Sequence, residues 1–329
     1  MSKRFQILSL SGGGFLGLYT VTVIAELEKE LGHPIARCFD LIAGTSVGGI
    51  IALGLSKEIP ATEIKSAFER HGPLIFSSRP APSGALASMF DLARFAAKPK
   101  YDGKQLRKTV EEIVGPKALI RDLSHRTIIP TVNVTKGQVQ VFKTSHHPSF
   151  SRDLKLRLVD VAMATSAAPT YFPLAEIDDS LFVDGGLYAN APDLIALHEA
   201  QHFLEVDLED VHILSIGTTT ARYSFAHAEG KEFGALHWLT DQRLTHVMLA
   251  AQQQSVDFMV KHRLGGRYLR LDYEQSKSQE RHLALDVATD AAQRTIRGIA
   301  MSTVQETLGR GDTKAYLNHV ATRPEFYNL

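Results

Sequence analysis

An α/β fold on a mostly parallel central sheet is what this sequence predicts, and two stretches carry the prediction. Phe5-Gln6-Ile7-Leu8-Ser9-Leu10 is an apolar run of strand length. A glycine-rich turn follows, then a segment whose Leu18, Val21, Ile24, Ala25, Leu27 and Leu31 fall at helical spacing. The second stretch, Phe39-Asp40-Leu41-Ile42-Ala43, is again of strand type and runs through Gly44-Thr45-Ser46-Val47-Gly48 into small and branched residues that suit a buried helix. Strand, turn, helix, strand is a βαβ unit. Such crossovers are right-handed and parallel in nearly all proteins, so both turns belong at the carboxyl edge of one sheet. Gly12 to Gly14 and Ser46 therefore share an edge.

Composition narrows the class. With 329 residues, 44% hydrophobic and 22% charged, the chain can bury a full core as one large domain or one domain with an appendage. Lys+Arg and Asp+Glu both number 36, so no net field favours a nucleic-acid polymer, and membrane contact has to be local. The single cysteine, Cys38, permits no internal disulfide and fits a reducing compartment, where it is read as a small buried hydrophobe. Lys3 and Arg4 before an apolar run to Ala25 imitate a signal peptide, but Gly12 to Gly14 break its centre, so the stretch is read as opening strand and turn. The uncharged run Leu41 to Ser56 holds four glycines and is shorter than the roughly 20 residues of a spanning helix, so it reads as core.

Gly44-x-Ser46-x-Gly48 between strand and helix has the form of a nucleophile elbow. That chemistry needs a serine hydroxyl exposed at the tip of a strained turn, with glycines where neighbouring backbone would collide. The helix that follows aims free N–H groups at the site and favours negative charge there. A bland tight turn is the competing reading. The glycine loop has three readings. Gly12-x-Gly14-x-x-Gly17 matches a dinucleotide fingerprint, but the acidic residue expected at the close of the next strand is missing. A phosphate loop fails for want of Gly-Lys-[Ser/Thr]. The third is an oxyanion hole, since consecutive glycines at the edge that carries Ser46 leave backbone N–H groups uncovered, with a turn that merely packs helix on strand as the bland alternative.

Further along, 61–71 reads as a short helix, and 74–100, with Pro73, Pro80, Pro82 and Pro99 around apolar and basic residues, as an amphipathic lid or a surface excursion. Asp102 caps a helix through Val114 that ends at Gly115, and 127–135 with 138–144 reads as a β-hairpin. Ser145-His146-His147-Pro148 has no third metal ligand nearby and is read as a solvated loop. A helix over 157–168 precedes the short strand Leu181-Phe182-Val183, which ends in Asp184-Gly185-Gly186. A carboxylate at a strand end before two glycines sits on a tight turn open to the same kind of edge, with turn capping as the ordinary alternative. Asn190 is read as capping the helix 193–203. Beyond it come a strand over 211–218, a long helix over about 235–262, a strand over 267–271 and a helix over 288–308.

Ser11-Gly12-Gly13-Gly14 with Gly17, Gly44-Thr45-Ser46-Val47-Gly48, Ala164-Thr165-Ser166-Ala167-Ala168-Pro169-Thr170-Tyr171-Phe172-Pro173 and Asp184-Gly185-Gly186 occur in that order, and the set resembles the patatin-like phospholipases over about residues 5–220. The resemblance implies a three-layer α/β/α fold and a lipid acyl hydrolase with a Ser–Asp dyad. Ser46 would be the nucleophile and Asp184 its base, with the backbone of Gly12, Gly13 and Gly14 as oxyanion hole. Gly44, Gly48, Gly185 and Gly186 would support the two turns. No cofactor or metal is implied, the substrate is phospholipid at a membrane surface, and the location is cytoplasmic, peripheral to the inner membrane. Many members carry Arg or Lys two residues after the third glycine, where this chain has Leu16.

No linker separates a second fold, so 1–329 is expected as one patatin-like domain, a catalytic core over about 5–220 with a helical extension over about 234–329. That tail is similar to bacterial patatin-like effectors of anti-phage defence switched on by a cyclic nucleotide, which implies a cyclic dinucleotide activator. The tail would otherwise shape the acyl pocket or pair protomers into a homo-oligomer. Its Arg263, Arg267 and Arg270 are read as a solvated basic edge. Two alternatives stand: a Ser-His-Asp esterase of α/β-hydrolase type using His198, His202 or His212, and a patatin-shaped protein that binds without catalysing.

Overall fold

The computed structural model describes residues 4–76, 98–219, 224, 227, 230–239, 243–280 and 282–329. The expected lid over 74–100 therefore lies, apart from its two ends, outside the described residues. Among the described residues eight strands form one sheet: β1 (Phe5–Leu10), β2 (Leu41–Gly44), β3 (Thr127–Asn133), β4 (Gln138–Lys143), β5 (Ala175–Ile177), β6 (Ser180–Asp184), β7 (Val211–Ile216) and β8 (Tyr268–Leu271). Their order is β5-β6-β3-β2-β1-β7-β8, with β4 also paired to β3. The β1–β2, β1–β7, β2–β3 and β7–β8 pairs are parallel. β1 is central, and Ile7, Leu8 and Leu10 are fully buried, as a parallel strand covered on both faces requires.

Helices cover both faces, which makes three layers. On one side lie α1 (Gly17–Leu31), α2 (Val47–Ser56) and α3 (Ala61–Ile75). Leu18, Val21, Ile24 and Leu27 of α1 join Leu8, Leu10 and Ile42 in one core, and Gly32 stops the helix in the left-handed conformation at φ 71°. The helix Asp290–Leu308 packs on α1, where the Tyr19 hydroxyl donates to Thr303 Oγ1 at 3.0 Å. On the other side Ala196, Leu197 and Ala200 of the helix Asp193–His202 meet Ile7, Leu41, Ala43 and Ile213, together with Val260 and Leu264 of the helix Arg243–Leu264. The C-terminal part is not appended to the sheet but completes it, because β8 extends the edge beside β7.

The register of β3 explains how two distant turns meet. Ile128 pairs with Lys143 of β4 on one side and Ala43 of β2 on the other; Thr131 pairs with Gln140 of β4 and with Asp184 of β6. A strand has only two edges, so β2 and β6 lie in tandem along the same edge of β3. β2 stops where the chain turns off at Ser46, and antiparallel β6 arrives from above to end at that level.

Some elements differ from the sequence expectation. α3 continues past His71 to Ile75 although Pro73 lacks the N–H that would bond the Glu69 carbonyl, because Phe68 and Ile75 are buried. Strand β5 was not expected, since three residues carry no readable alternation. The helix over 157–168 is shorter, Leu158–Thr165, and the long helix over 235–262 is described as Ala235–Leu239 and Arg243–Leu264. Cys38 is buried against the core, its thiol pushed up to about 11 by burial. Among the described residues no helix is long and apolar enough to cross a membrane.

Candidate active site

Ser46 stands between β2 and α2 at φ 55°, ψ −126°, a conformation that a non-glycine residue adopts only under constraint. The constraint is visible. A methyl group at Gly44 would land on the Gly48 carbonyl, and one at Gly48 on the carbonyl of Leu10, so the turn closes only with glycine at both positions. Gly48→Ala is expected to destabilise the protein by about 1–3 kcal/mol, as overpacking against backbone does, read as a lower denaturant midpoint at unchanged slope. The Ser46 carbonyl accepts from Gly49 and Ile50 at 2.9 and 3.1 Å and starts α2.

Ser46 Oγ donates to Asp184 Oδ2 at 2.7 Å across 138 positions of sequence. The other carboxylate oxygen accepts the Gly186 amide at 2.7 Å. Asp184 is only 5% exposed. Burial pushes its carboxyl up to about 6, and the hydrogen bonds from Ser46 and Gly186 pull back only part of that rise. The pair thus holds a hydroxyl against a carboxylate whose basicity is raised toward neutral pH.

Thr165 sets the spacing between the two turns, a role that sequence reading missed. Its Oγ1 accepts the Ser46 amide at 3.0 Å and donates to the Pro130 carbonyl at 2.6 Å, while its own carbonyl accepts the Gly185 amide at 3.3 Å. The signal was present in Ala164-Thr165-Ser166-Ala167-Ala168-Pro169, but only the fold shows that the hydroxyl reaches the elbow. Thr165→Val leaves a buried amide and a buried carbonyl without partners, with an expected cost of about 1–3 kcal/mol in denaturant unfolding.

The loop Gly12 to Gly14 lies against the same turn, with an added Cβ at Gly12 falling 3.1 Å from Ser46 Cβ. Its three amides are not equivalent. The Gly12 N–H donates to the Asn190 carbonyl at 2.9 Å, whereas those of Gly13 and Gly14 meet no acceptor among the described residues. The Gly12 carbonyl accepts from Thr218 Oγ1 at 3.0 Å and Asn190 Nδ2 at 3.4 Å. Asn190 does not cap the helix Asp193–His202, whose N-cap position is Pro192 without a side-chain cap. Leu16 is buried at 4% exposure, so the position of the usual basic residue is part of the core.

The alternative histidines stand elsewhere. His198 and His202 stack on each other at 5.1 Å between centroids. His212 pairs in register with Gln6, four residues below Leu10 and so about 13 Å down the sheet from the edge that carries Ser46. Burial, with Arg4 and Arg267 nearby, lowers it to about 4. His146 is not in a solvated loop: it is buried, bonded to Glu199 at 3.0 Å and Thr144 at 2.8 Å. No group of three metal-ligating side chains occurs among the described residues. Arg270 is not on a solvated edge either; it is half-buried and donates to Asp272 at 2.7 Å and Ser215 at 2.8 Å, while Arg263 and Arg267 reach Gln201 and the Leu208 carbonyl.

The family model described as Patatin-like phospholipase matches residues 8–197. A Pseudomonas aeruginosa protein named cGAMP-activated phospholipase is 41% identical over 326 residues, 98% of this chain and 95% of its own length. A Vibrio cholerae protein of the same name is 38% identical over 312 residues, covering 88% of this chain and 87% of that one. Patatin-like protein 1 of Arabidopsis thaliana is 28% identical over 349 residues, covering 95% and 82%. With the elbow, the carboxylate and the glycine loop gathered at one sheet edge, these likenesses agree with the architecture, and this chain belongs to the patatin-like phospholipases.

Proposed function

We propose that the protein releases fatty acid from membrane phospholipid through Ser46 and Asp184, and that cGAMP switches it on. The observation that carries this reading is the 2.7 Å hydrogen bond from Ser46 Oγ to a buried carboxylate at a positive-φ elbow. Serine is a weak nucleophile at its own pKa and needs a base in direct reach, a place that Asp184 fills. Ser46 Oγ forms a bond to the acyl carbon as its proton moves to Asp184. The tetrahedral oxyanion is met by the Gly13 and Gly14 amides, and the ester C–O bond then breaks, the proton passing from Asp184 to the leaving lysolipid oxygen. Water next attacks the acyl-enzyme, giving its proton to Asp184, and the proton returns to Ser46 as the fatty acid leaves.

Activation by cGAMP rests on the names of relatives 36–41% identical over most of this chain. Such an enzyme would work in the cytoplasm, peripherally on the inner membrane, as an effector of anti-phage defence. The test is fatty-acid release from vesicles of phosphatidylethanolamine and phosphatidylglycerol, with and without cGAMP. Release that requires both cGAMP and Ser46 is the expected result. No release from the vesicles in either condition overturns the reading, and equal release without cGAMP removes the activator from it.

A further inference from the structure

Two glycine signatures far apart in the chain converge on one side chain. A Cβ at Gly12 would lie 2.5 Å from Asn190 Oδ1, and a Cβ at Gly186 would lie 3.2 Å from the same atom. The Asn190 carboxamide therefore fills the space between the glycine loop and the loop that carries Asp184, and it is 9% exposed. It holds the Gly12 residue from both ends: the Asn190 carbonyl accepts the Gly12 N–H at 2.9 Å, and Asn190 Nδ2 donates to the Gly12 carbonyl at 3.4 Å. Thr218 Oγ1 adds a second donor to that carbonyl at 3.0 Å.

The carbonyl of Gly12 and the N–H of Gly13 belong to one planar trans peptide, so they point in opposite directions. Whatever holds the oxygen aims the hydrogen. Donors on the oxygen also polarise the amide and strengthen its N–H as a donor in turn. We infer that Asn190, together with Thr218, is a positioning residue for the oxyanion hole: from behind the loop it fixes the direction of the Gly13 N–H. This rests on the reading of Ser46 as nucleophile and of Gly13 as oxyanion donor. It also gives a reason for the two converging glycines, since a side chain at Gly12 or Gly186 would displace the carboxamide.

The test uses the full chain with cGAMP and a matched pair of substrates, a p-nitrophenyl ester and its thionoester, whose sulfur is a poor hydrogen-bond acceptor. Rates are expressed per Ser46 titrated by an alkyl fluorophosphonate, so that a partly unfolded sample does not count as a slow enzyme. Asn190→Asp keeps the shape of the side chain but sets an acceptor against the Gly12 carbonyl. It is expected to lower kcat by about 10²-fold with KM within about twofold, the scale on which a small misplacement acts. The preference for the oxygen ester over the thionoester is expected to fall by about tenfold, because only the oxygen ester gains from the aimed N–H. Thr218→Val approaches the same carbonyl from another element and is expected to move both quantities the same way, which keeps the test open should Asn190→Asp fold poorly. The double variant should lose less than the product of the two, as groups acting on one atom do.

Unchanged kcat and an unchanged substrate ratio in both single variants overturn the inference while leaving the hydrolase in place. A lower kcat with an unchanged ratio overturns it too, because that is what a packing role gives. A wild type without Ser46-dependent hydrolysis of either ester overturns the reading beneath it and the inference with it.

Discussion

Ser46→Ala is expected to abolish acyl-ester hydrolysis, with kcat falling by about 10⁴–10⁶-fold, since removal of a serine nucleophile leaves only binding and oxyanion stabilisation. The fold should persist, because the side chain removed is half-buried and its hydroxyl, among the described residues, bonds Asp184 alone. Ser46→Gly sharpens the measurement. At φ 55° a serine is strained and a glycine is not, so this variant should be equally inactive yet about 1 kcal/mol more stable than Ser46→Ala. Fatty-acid release and thermal unfolding, measured on both variants, check the two halves separately. Turnover that survives in either variant removes Ser46 as the nucleophile.

Asp184→Asn is expected to lower kcat by about 10⁴-fold, because the amide matches the carboxylate in shape but cannot accept the serine proton. The wild type carries a matching pH signature. With the Asp184 carboxyl held up near 6, kcat/KM should be full above that value and fall about tenfold per unit below it, as the base becomes protonated. Stability should move the other way. The folded state holds this proton up to about pH 6 and the unfolded chain only to about 3.8, so the ionised group destabilises the fold by about 3 kcal/mol above pH 6. Lowering the pH through the window from 6 to 4 relieves that cost. Asp184→Asn relieves it at neutral pH as well, with Tm rising by roughly a few degrees while activity is lost. Full turnover in this variant, or a loss of activity confined to changes at His198, His202 or His212, would move the base to a histidine.

Thr165, Asn190 and Thr218 show where sequence reading stops. Each is an ordinary polar residue in the chain, and for Asn190 before Ala191-Pro192 a helix cap was the sensible expectation. The pairing that overrides it joins residues 178 positions apart. His146 is a second case: beside His147 and Pro148 it reads as a solvated loop residue, yet Glu199, from a helix 53 positions on, takes it into the interior. Arg270 reads in the sequence as part of a basic edge, and only the pairing of β8 with β7 sets it beside Ser215. No local pattern encodes such partners, since each depends on which strand neighbours which.

What the sequence determined by itself was everything that rests on short-range sterics: the strand-turn-helix around Ser46, the parallel crossover, the glycines that permit close backbone approach, and the carboxylate on a turn before two glycines. The tertiary structure alone decided that β2 and β6 share one edge of β3, and so that a hydroxyl and a carboxylate meet at 2.7 Å. It also decided that the Gly12 amide is taken up by Asn190 while those of Gly13 and Gly14 meet no acceptor among the described residues. The physical reason is one of range. Backbone strain and helical periodicity act within a few residues, whereas a hydrogen bond between distant segments exists only once the sheet has fixed their order and register.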